Sequence, residues 1–255
     1  PGWILLSPAG FELSFNHLSV TEAPVTGPYD LMIGGNLGQP VVPAVATVRV
    51  SNVPISNGTL TLGQTISGEI SPVGDVDRFA FTLDRPRRIS IDGLTPGNRQ
   101  FLLTGPTGEV VNDNFGADRW WTYLLPAGDY TFQVFANQAT TGNYSFRIVD
   151  LEEGSPVPFG VTQTVPLAPG NSTVSMPVVL AQGQTVTFQP IARTGFTQNP
   201  WWTMVDPAGR RVWEADSSQP YTFKAILPGR HALLLGGWMS HFNTNGTVQF
   251  SVVNG

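Results

Sequence analysis

The chain has 255 residues, a formal net charge of −5 and an isoelectric point near 5.1, and only 12% of its residues are charged while 41% are hydrophobic. The acidic balance excludes the basic surface that nucleic-acid binding requires. No apolar run approaches the roughly 20 residues of a membrane helix, and the lack of cysteine excludes a disulfide framework. We therefore expect no nucleic-acid partner and no membrane insertion.

Short segments of alternating apolar and polar residues run along the whole chain. The 28 glycines and 22 prolines separate these segments at short intervals, as turns separate strands in all-β proteins. No segment convincingly indicates a helix. The sequence therefore predicts an all-β fold.

A strand–turn–strand pattern occurs three times, at residues 3–15, 121–134 and 223–235. Each copy has an apolar run, a turn with Pro and Gly, and an alternating run, which predicts a β-hairpin. A second glycine-containing turn follows each copy and leads into a further strand, at residues 26–33, 141–148 and 245–252.

Two copies also share a front half, because residues 101–111 resemble residues 202–212 around a Pro-x-Gly turn. We therefore predict tandem jelly-roll-like β-sandwich modules at 56–150 and 160–255, with residues 1–35 forming the C-terminal half of another. An extended linker at 36–55 and a shorter one at 151–159 would hold these modules apart as semi-rigid spacers.

A half module cannot close a sandwich, because its inward apolar residues would face water. One explanation is that the sequence boundary cuts a longer protein. The alternative is that a partner chain supplies the missing strands, which would make residues 1–35 a self-association element.

The best-defined segment carries Gly74-Asp75-Val-Asp77-Arg-Phe79, then Leu125-Pro-Ala-Gly-Asp-Tyr130 and a closing Gly142-Asn-Tyr144. This series resembles the bacterial pre-peptidase C-terminal domain. Residues 160–255 keep the turns but lack Gly-Asp-x-Asp, and residues 1–35 match only in part. The resemblance implies a jelly-roll-like sandwich that is an appendage of secreted peptidases, adhesins and other surface proteins. Some relatives bind calcium, collagen or polysaccharide.

Asp75 and Asp77 are the candidate metal ligands. Two residues apart on an extended chain, their carboxylates project to the same face, where a calcium ion would relieve their repulsion. The preceding segment, residues 51–57, has no carboxylate to complete such a site. The alternative is an acid pair that accepts hydrogen bonds from backbone amides.

Two tryptophan pairs, Trp120-Trp121 and Trp201-Trp202, stand out. On a strand, one ring of each pair points inward and the other outward. An outward ring could stack on a sugar, so Trp120, Trp201 and Trp202 are candidate ligand-binding residues. The alternative for all of them is core or intermodule packing.

Catalytic motifs are absent from the sequence: it has three histidines and neither a His-Glu-x-x-His nor a Gly-x-Ser-x-Gly segment. We therefore expect a non-catalytic protein. The resemblance implies a location outside the cell or on its surface. The first hypothesis is a set of spacer or binding modules within a larger exported bacterial protein, with a protein or polysaccharide ligand. The alternatives are a self-assembling filament or adhesin subunit and a carbohydrate-binding appendage of a secreted hydrolase.

Overall fold

A computed structural model describes residues 2–10, 12–15, 27–34, 55–97, 99–115, 121–136 and 140–255. Within these residues the chain forms strands, connecting turns and one 3-10 turn at Met239–His241, so the predicted all-β class is confirmed. The described residues include no helix with the length and apolarity that a membrane crossing requires. Except for Ile55, the predicted linker at 36–55 lies outside the described residues.

The strands near the N-terminus form a three-stranded sheet in the order β2-β1-β3. These strands are β1 (Gly2–Leu6), β2 (Glu12–Phe15) and β3 (Asp30–Gly34).

The next nine strands form a first sandwich of two sheets, in the orders β10-β7-β12-β5 and β4-β6-β11-β8-β9. The strands are β4 (Ile55–Thr59), β5 (Ile66–Ile70), β6 (Val76–Leu83), β7 (Arg87–Gly93), β8 (Arg99–Gly105), β9 (Gly108–Asn114), β10 (Trp121–Leu125), β11 (Gly128–Ala136) and β12 (Gly142–Asp150). Alternate residues of both sheets meet in one core. At its centre, the ring of Phe132 stacks on Phe146 at 4.5 Å and on Phe101 at 5.3 Å between centroids.

The last eight strands form a second sandwich, with sheets in the orders β13-β20-β15-β18 and β14-β19-β16-β17. The strands are β13 (Gln163–Leu167), β14 (Thr173–Leu180), β15 (Thr185–Thr194), β16 (Trp201–Val205), β17 (Arg211–Asp216), β18 (Tyr221–Lys224), β19 (Gly229–Gly236) and β20 (Gly246–Asn254). Its core holds the fully buried rings of Phe188, Trp202 and Phe250.

The two sandwiches lie face to face at a contact that we call the junction, between sheet β10-β7-β12-β5 and sheet β14-β19-β16-β17. Leu151, just after β12, is fully buried in an apolar cluster with Val205, Ala232 and Leu234 of the second sandwich. On β19 this leaves Leu233 facing the second core and Leu234 facing the first sandwich. At the junction, β7 and β19 are therefore buried on both faces along most of their length.

The segment 151–159, expected to separate the modules, is itself packed. Leu151 lies in the junction, while Val157 joins the second core and donates its amide to the Pro177 carbonyl at 2.8 Å. These apolar side chains near the two ends of the segment lose contact with water by packing. The structure thus differs from the expectation of modules held apart.

Two of the three predicted hairpins are wrong. Strand β10 pairs with β7, whereas β11 pairs with β6 and β8 in the opposite sheet. In the second sandwich, β18 pairs with β15 and β19 with β14 and β16. The chain thus crosses between sheets at Leu-Pro-x-Gly in the first sandwich and at the corresponding turn in the second. Alternation shows which residues face the core, but not which sheet holds the strand.

The third copy, at residues 3–15, is a true hairpin, and it corresponds to a different part of the module. The order β2-β1-β3 matches β9-β8-β11 and β17-β16-β19. The register shifts at the same place in each hairpin, between residues 5 and 6, 103 and 104, and 204 and 205. The N-terminal sheet therefore corresponds to the centre of a module and not to its C-terminal half.

A contact between a proline and a glycine supports this correspondence. In each of these three sheets, a proline in the hairpin turn lies against a glycine just before or at the start of the strand that pairs beside the hairpin (β3, β11 or β19). A Cβ on that glycine would contact the proline ring. This holds for Pro8 with Gly27, Pro106 with Gly128 and Pro207 with Gly229. All three glycines have positive φ angles, which favour glycine over other residues.

Candidate functional site

The two predicted calcium ligands lie at the start of β6. Asp75 and Asp77 are 4% and 8% exposed. Asp75 closes a turn: its amide donates to the Pro72 carbonyl at 3.1 Å, and its Oδ2 accepts from the Ser71 amide at 3.2 Å. The other oxygen of Asp75, Oδ1, is buried without a hydrogen-bond partner.

Tyr144 connects the acid pair to the opposite sheet. Its hydroxyl donates a hydrogen bond to Oδ2 of Asp77. Burial, this hydrogen bond and the negative charges of Asp77 and Asp75 raise the pKa of Tyr144, so the phenol keeps its proton. Its cross-strand neighbour is Gly68, where any Cβ would overlap the Tyr144 hydroxyl. Gly68 therefore makes room for the ring that reaches Asp77.

The acid pair does not make a calcium shell from the described side chains. Calcium takes six to eight oxygen ligands, and the described part of the chain has no group of three or more acidic, histidine or cysteine side chains suited to a metal. One oxygen of Asp77 is already occupied by Tyr144. The geometry favours the second interpretation of Asp75 and Asp77, a hydrogen-bonded acid pair that fixes the first turn of β6.

Substituting Tyr144 by phenylalanine tests that interpretation. The variant leaves a buried Asp77 carboxylate oxygen without its donor, which costs about 1–3 kcal/mol. We expect urea unfolding to show this loss in the free energy of unfolding of the variant. We also expect excess EGTA to leave the melting temperature of the unsubstituted protein unchanged. A melting temperature that drops with EGTA and returns with calcium would instead establish Asp75 and Asp77 as metal ligands.

The predicted tryptophan sites divide between core and surface. Trp120 lies outside the described residues. Its neighbour Trp121 is buried in the first core, with its ring nitrogen donating to Oδ2 of Asp113 at 3.0 Å. Trp202 is fully buried against Phe188. Because it has no exposed face, Trp202 is a core residue and not a sugar platform.

Trp201 is the tryptophan candidate that the structure leaves half-buried, at the start of β16 in the second sandwich. It lies edge-on to Trp238, with 5.8 Å between ring centroids. The Trp238 ring nitrogen donates to the Asn199 carbonyl at 2.8 Å. The exposed side chains of Gln198 and Ser240 are hydrogen-bonded to each other beside this pair. Trp201 and Trp238 thus present two half-buried indole rings next to polar side chains.

The junction holds the most extensive polar network that the structure shows between the sandwiches. Arg88 on β7 is buried, and its guanidinium donates to both carboxylate oxygens of Glu152, at 2.6 and 3.0 Å. A third donor of Arg88 reaches the Asp206 carbonyl of the second sandwich at 2.8 Å. The hydrogen bond from Arg88 lowers the pKa of Glu152, which keeps this carboxylate charged.

A second group of the junction centres on Asp92, which is 4% exposed. Its Oδ2 accepts from Nε of Arg147 at 2.8 Å and from the amide of Thr173 at 3.0 Å. Arg147 also donates to the Thr173 carbonyl at 2.7 Å. Nearby, the Asn171 amide reaches the Gly93 carbonyl at 3.1 Å. The start of β14 is thus bonded to the first sandwich through both its backbone and its side chains.

Sequence reasoning missed these junction residues. Arg88, Ser90 and Asp92 alternate with Ile89 and Ile91, a pattern typical of a strand with one face in water. Arg88 also belongs to a basic run that looks like a strand end. The polar face is buried because a second sandwich covers it, and alternation within one strand cannot indicate that.

Comparison with known proteins gives structural likenesses only. No protein-family model and no curated protein sequence matches the chain. Among solved structures, the pre-peptidase C-terminal domain of a Bacillus anthracis collagenase is 18% identical, with a TM-score of 0.34, over 38% of this chain and 99% of that one. This solved domain is of the kind that the sequence resembles.

Two other similar structures are more distant. PliG of Aeromonas hydrophila, a periplasmic inhibitor of g-type lysozyme, is 14% identical with a TM-score of 0.29, over 38% of this chain and 93% of that one. The CUB1-EGF-CUB2 segment of human MASP-1/3 is 9% identical with a TM-score of 0.24, over 73% of this chain and 99% of that one. These likenesses concern the fold and assign no ligand.

Proposed function

We propose that this chain is a non-catalytic spacer segment of a larger exported bacterial protein, secreted or held at the cell surface. Its two complete sandwiches form one stiff unit, and its outer surfaces remain open to a protein or polysaccharide ligand. The observation that carries it is the junction.

The junction supports a spacer because it resists bending. The contacts that have to separate before the modules can hinge are the hydrogen bond from Arg88 to the Asp206 carbonyl, the hydrogen bonds that join Asp92 and Arg147 to Thr173, and the apolar cluster around Leu151. Each broken hydrogen bond to a buried charged group costs about 1.5–3 kcal/mol. Two sandwiches on a flexible linker would bend freely, whereas this pair keeps a fixed distance between its ends.

Solution scattering on the protein and on Leu234→Asp tests the spacer proposal. The substitution places a charge in the apolar junction cluster without touching the second core, because the neighbouring residue on β19, Leu233, is the one that faces inward. We expect a single compact shape for the unsubstituted protein and a larger maximum dimension for the variant. Val179→Asp is the matched control, since that side chain is 49% exposed. Equal dimensions for all three proteins would contradict the proposal.

A second candidate function is the binding of carbohydrate at the surface formed by Trp201 and Trp238. It is favoured by two half-buried indole rings beside the hydrogen-bonded side chains of Gln198 and Ser240, an arrangement that offers both stacking and polar contacts to a sugar. The test is a glycan array on the protein and on Trp201→Ala. Binding that is lost in the variant supports this function, and binding that persists unchanged removes Trp201 from it.

A further inference from the structure

The start of β19 carries contacts that join the two sandwiches, and a histidine lies between them. Arg230 donates to two backbone carbonyls of the connecting segment 151–159, at 2.6 and 3.2 Å. Ala232 belongs to the apolar cluster of the junction. The side chain of His231, between these two residues, points to the opposite face of the sheet. There its ring lies edge-on to Phe223 of the second core, with 5.7 Å between centroids.

The ring of His231 is completely buried, and only one of its nitrogens has a hydrogen-bond partner among the described residues. Nδ1 lies 3.2 Å from the Gly229 carbonyl. Because a carbonyl only accepts, the ring proton is on Nδ1, and Nε2 is the bare nitrogen. Protonation of the ring would therefore place a new N–H and a positive charge at Nε2, where no described group accepts the hydrogen bond.

The charged groups that act on this ring, Asp206 and Arg88, give it no ion pair. Both carboxylate oxygens of Asp206 accept hydrogen bonds within their own turn, one of them from Nε of Arg210 at 2.9 Å. Arg88 donates to the Asp206 carbonyl at 2.8 Å, so a protonated ring would be repelled by a charge that belongs to the junction. The residues that face the ring from β14 and β18, Val178 and Phe223, are uncharged.

This environment makes the stability of the second sandwich depend on pH. Burial lowers the pKa of His231, and the charge of Arg88 acts in the same direction, against the Gly229 hydrogen bond and the charge of Asp206. A histidine with a lowered pKa binds fewer protons in the folded state than in the unfolded state. Its contribution to stability is therefore complete above the unfolded value of about 6.5 and is lost as the pH falls from there towards the folded value.

We propose that the junction opens in mild acid, and that protonation of His231 opens it. With the ring neutral, the start of β19 keeps Arg230 on the connecting segment and Ala232 in the apolar cluster. With the ring charged, this part of β19 leaves its place and both contacts are released. The inference rests on the proposed spacer function and adds its regulation, because the distance between the ends of the unit then depends on pH.

Solution scattering of the full chain from pH 7.5 to pH 5 tests this inference, together with the variants His231→Gln and His241→Gln. Glutamine at 231 stays neutral and keeps an N–H for the Gly229 carbonyl. His241 is the matched control, since it is also buried in the second sandwich and its Nε2 lies 3.0 Å from the Thr197 hydroxyl.

We expect a compact shape for all three proteins at pH 7.5. Below about pH 6.5 the maximum dimension should grow for the unsubstituted protein and for His241→Gln, but not for His231→Gln. The equilibrium constant for opening should rise by up to about tenfold for each pH unit, since opening takes up one proton. NMR signals of the His231 ring nitrogens in the unsubstituted protein should show a neutral ring until the dimension grows.

The other outcomes overturn the inference in distinguishable ways. A compact shape at every pH would remove the acid response and leave the spacer function standing, whereas an extended shape already at pH 7.5 would contradict the spacer function itself. The same response in His231→Gln, or its loss in His241→Gln, would assign the opening to another group. A ring that titrates while the dimension stays constant would contradict the inference even if a variant fails to fold. Loss of hydrogen-exchange protection in β11 at the same pH would show unfolding of the whole chain in place of opening.

Discussion

Replacing Arg147 by alanine is expected to destabilise the protein by about 3 kcal/mol at pH 7, because it leaves the buried carboxylate of Asp92 without its cation. The variant also loses the hydrogen bond from Arg147 to the Thr173 carbonyl. The start of β14 then keeps only its bond to Asp92, a carboxylate that has itself lost the hydrogen bond from Arg147. Urea unfolding followed by tryptophan fluorescence measures the change in the free energy of unfolding.

The pH dependence of this variant identifies the cause. Burial raises the pKa of Asp92, and the charge of Arg147 opposes that shift. A carboxyl group with a raised pKa in the folded state takes up a proton on folding, so its contribution to stability falls as the pH rises above its unfolded value. Without Arg147 the pKa of Asp92 rises further. The cost of Arg147→Ala should therefore be largest at neutral pH and shrink towards about pH 4, where Asp92 can be protonated.

The matched control for the junction is Asp92→Asn. Asparagine keeps an acceptor for the Thr173 amide and removes the buried charge, so we expect a smaller loss than for Arg147→Ala. The double variant should be more stable than Arg147→Ala alone, since no unpaired charge remains. A loss below about 1 kcal/mol for Arg147→Ala, with no change between pH 7 and pH 4, would show that the Asp92–Arg147 pair does not hold the junction.

Trp202→Ala is expected to have the largest effect on the second sandwich, a loss of about 3–5 kcal/mol. The ring is fully buried and packs on Phe188 and Phe250, so its removal leaves a cavity that the sheets cannot close. Calorimetry should show the second sandwich melting well below the temperature of the unsubstituted protein.

The adjacent Trp201→Ala provides the comparison. Trp201 is half-buried and contacts Trp238 at the start of β16, so we expect a loss of only about 1 kcal/mol. Similar losses for Trp201→Ala and Trp202→Ala would contradict the assignment of one ring to the surface and the other to the core.

The fold class and much of the core were predictable from the sequence because they follow from local pattern. Alternation around Phe132 and Phe146 identifies inward positions, and the Pro-x-Gly turns at 106–108 and 207–209 mark true hairpins. The resemblance of Gly74-Asp75-Val-Asp77 to a known domain located the start of β6. Each of these depends on residues close together in the chain.

The rest depends on contacts between distant segments, which a single sequence does not encode in its local pattern. Leu125-Pro-Ala-Gly128 and Ser7-Pro-Ala-Gly10 look alike, yet the first crosses between sheets and the second closes a hairpin. The difference is decided by which strands are available to pair. In the same way, the polar residues of β7 look like a solvated face until the second sandwich covers them.

The amide of Thr173 tests the junction most directly. It belongs to β14, which is an edge strand in its own sheet, and it donates to Oδ2 of Asp92 in the first sandwich. Hydrogen exchange by NMR at neutral pH should show this amide protected nearly as well as the central strand β19, with the protection lost in Asp92→Ala. Exchange at Thr173 as fast as that of an exposed turn amide, while β19 stays protected, would show that the two sandwiches do not form one unit.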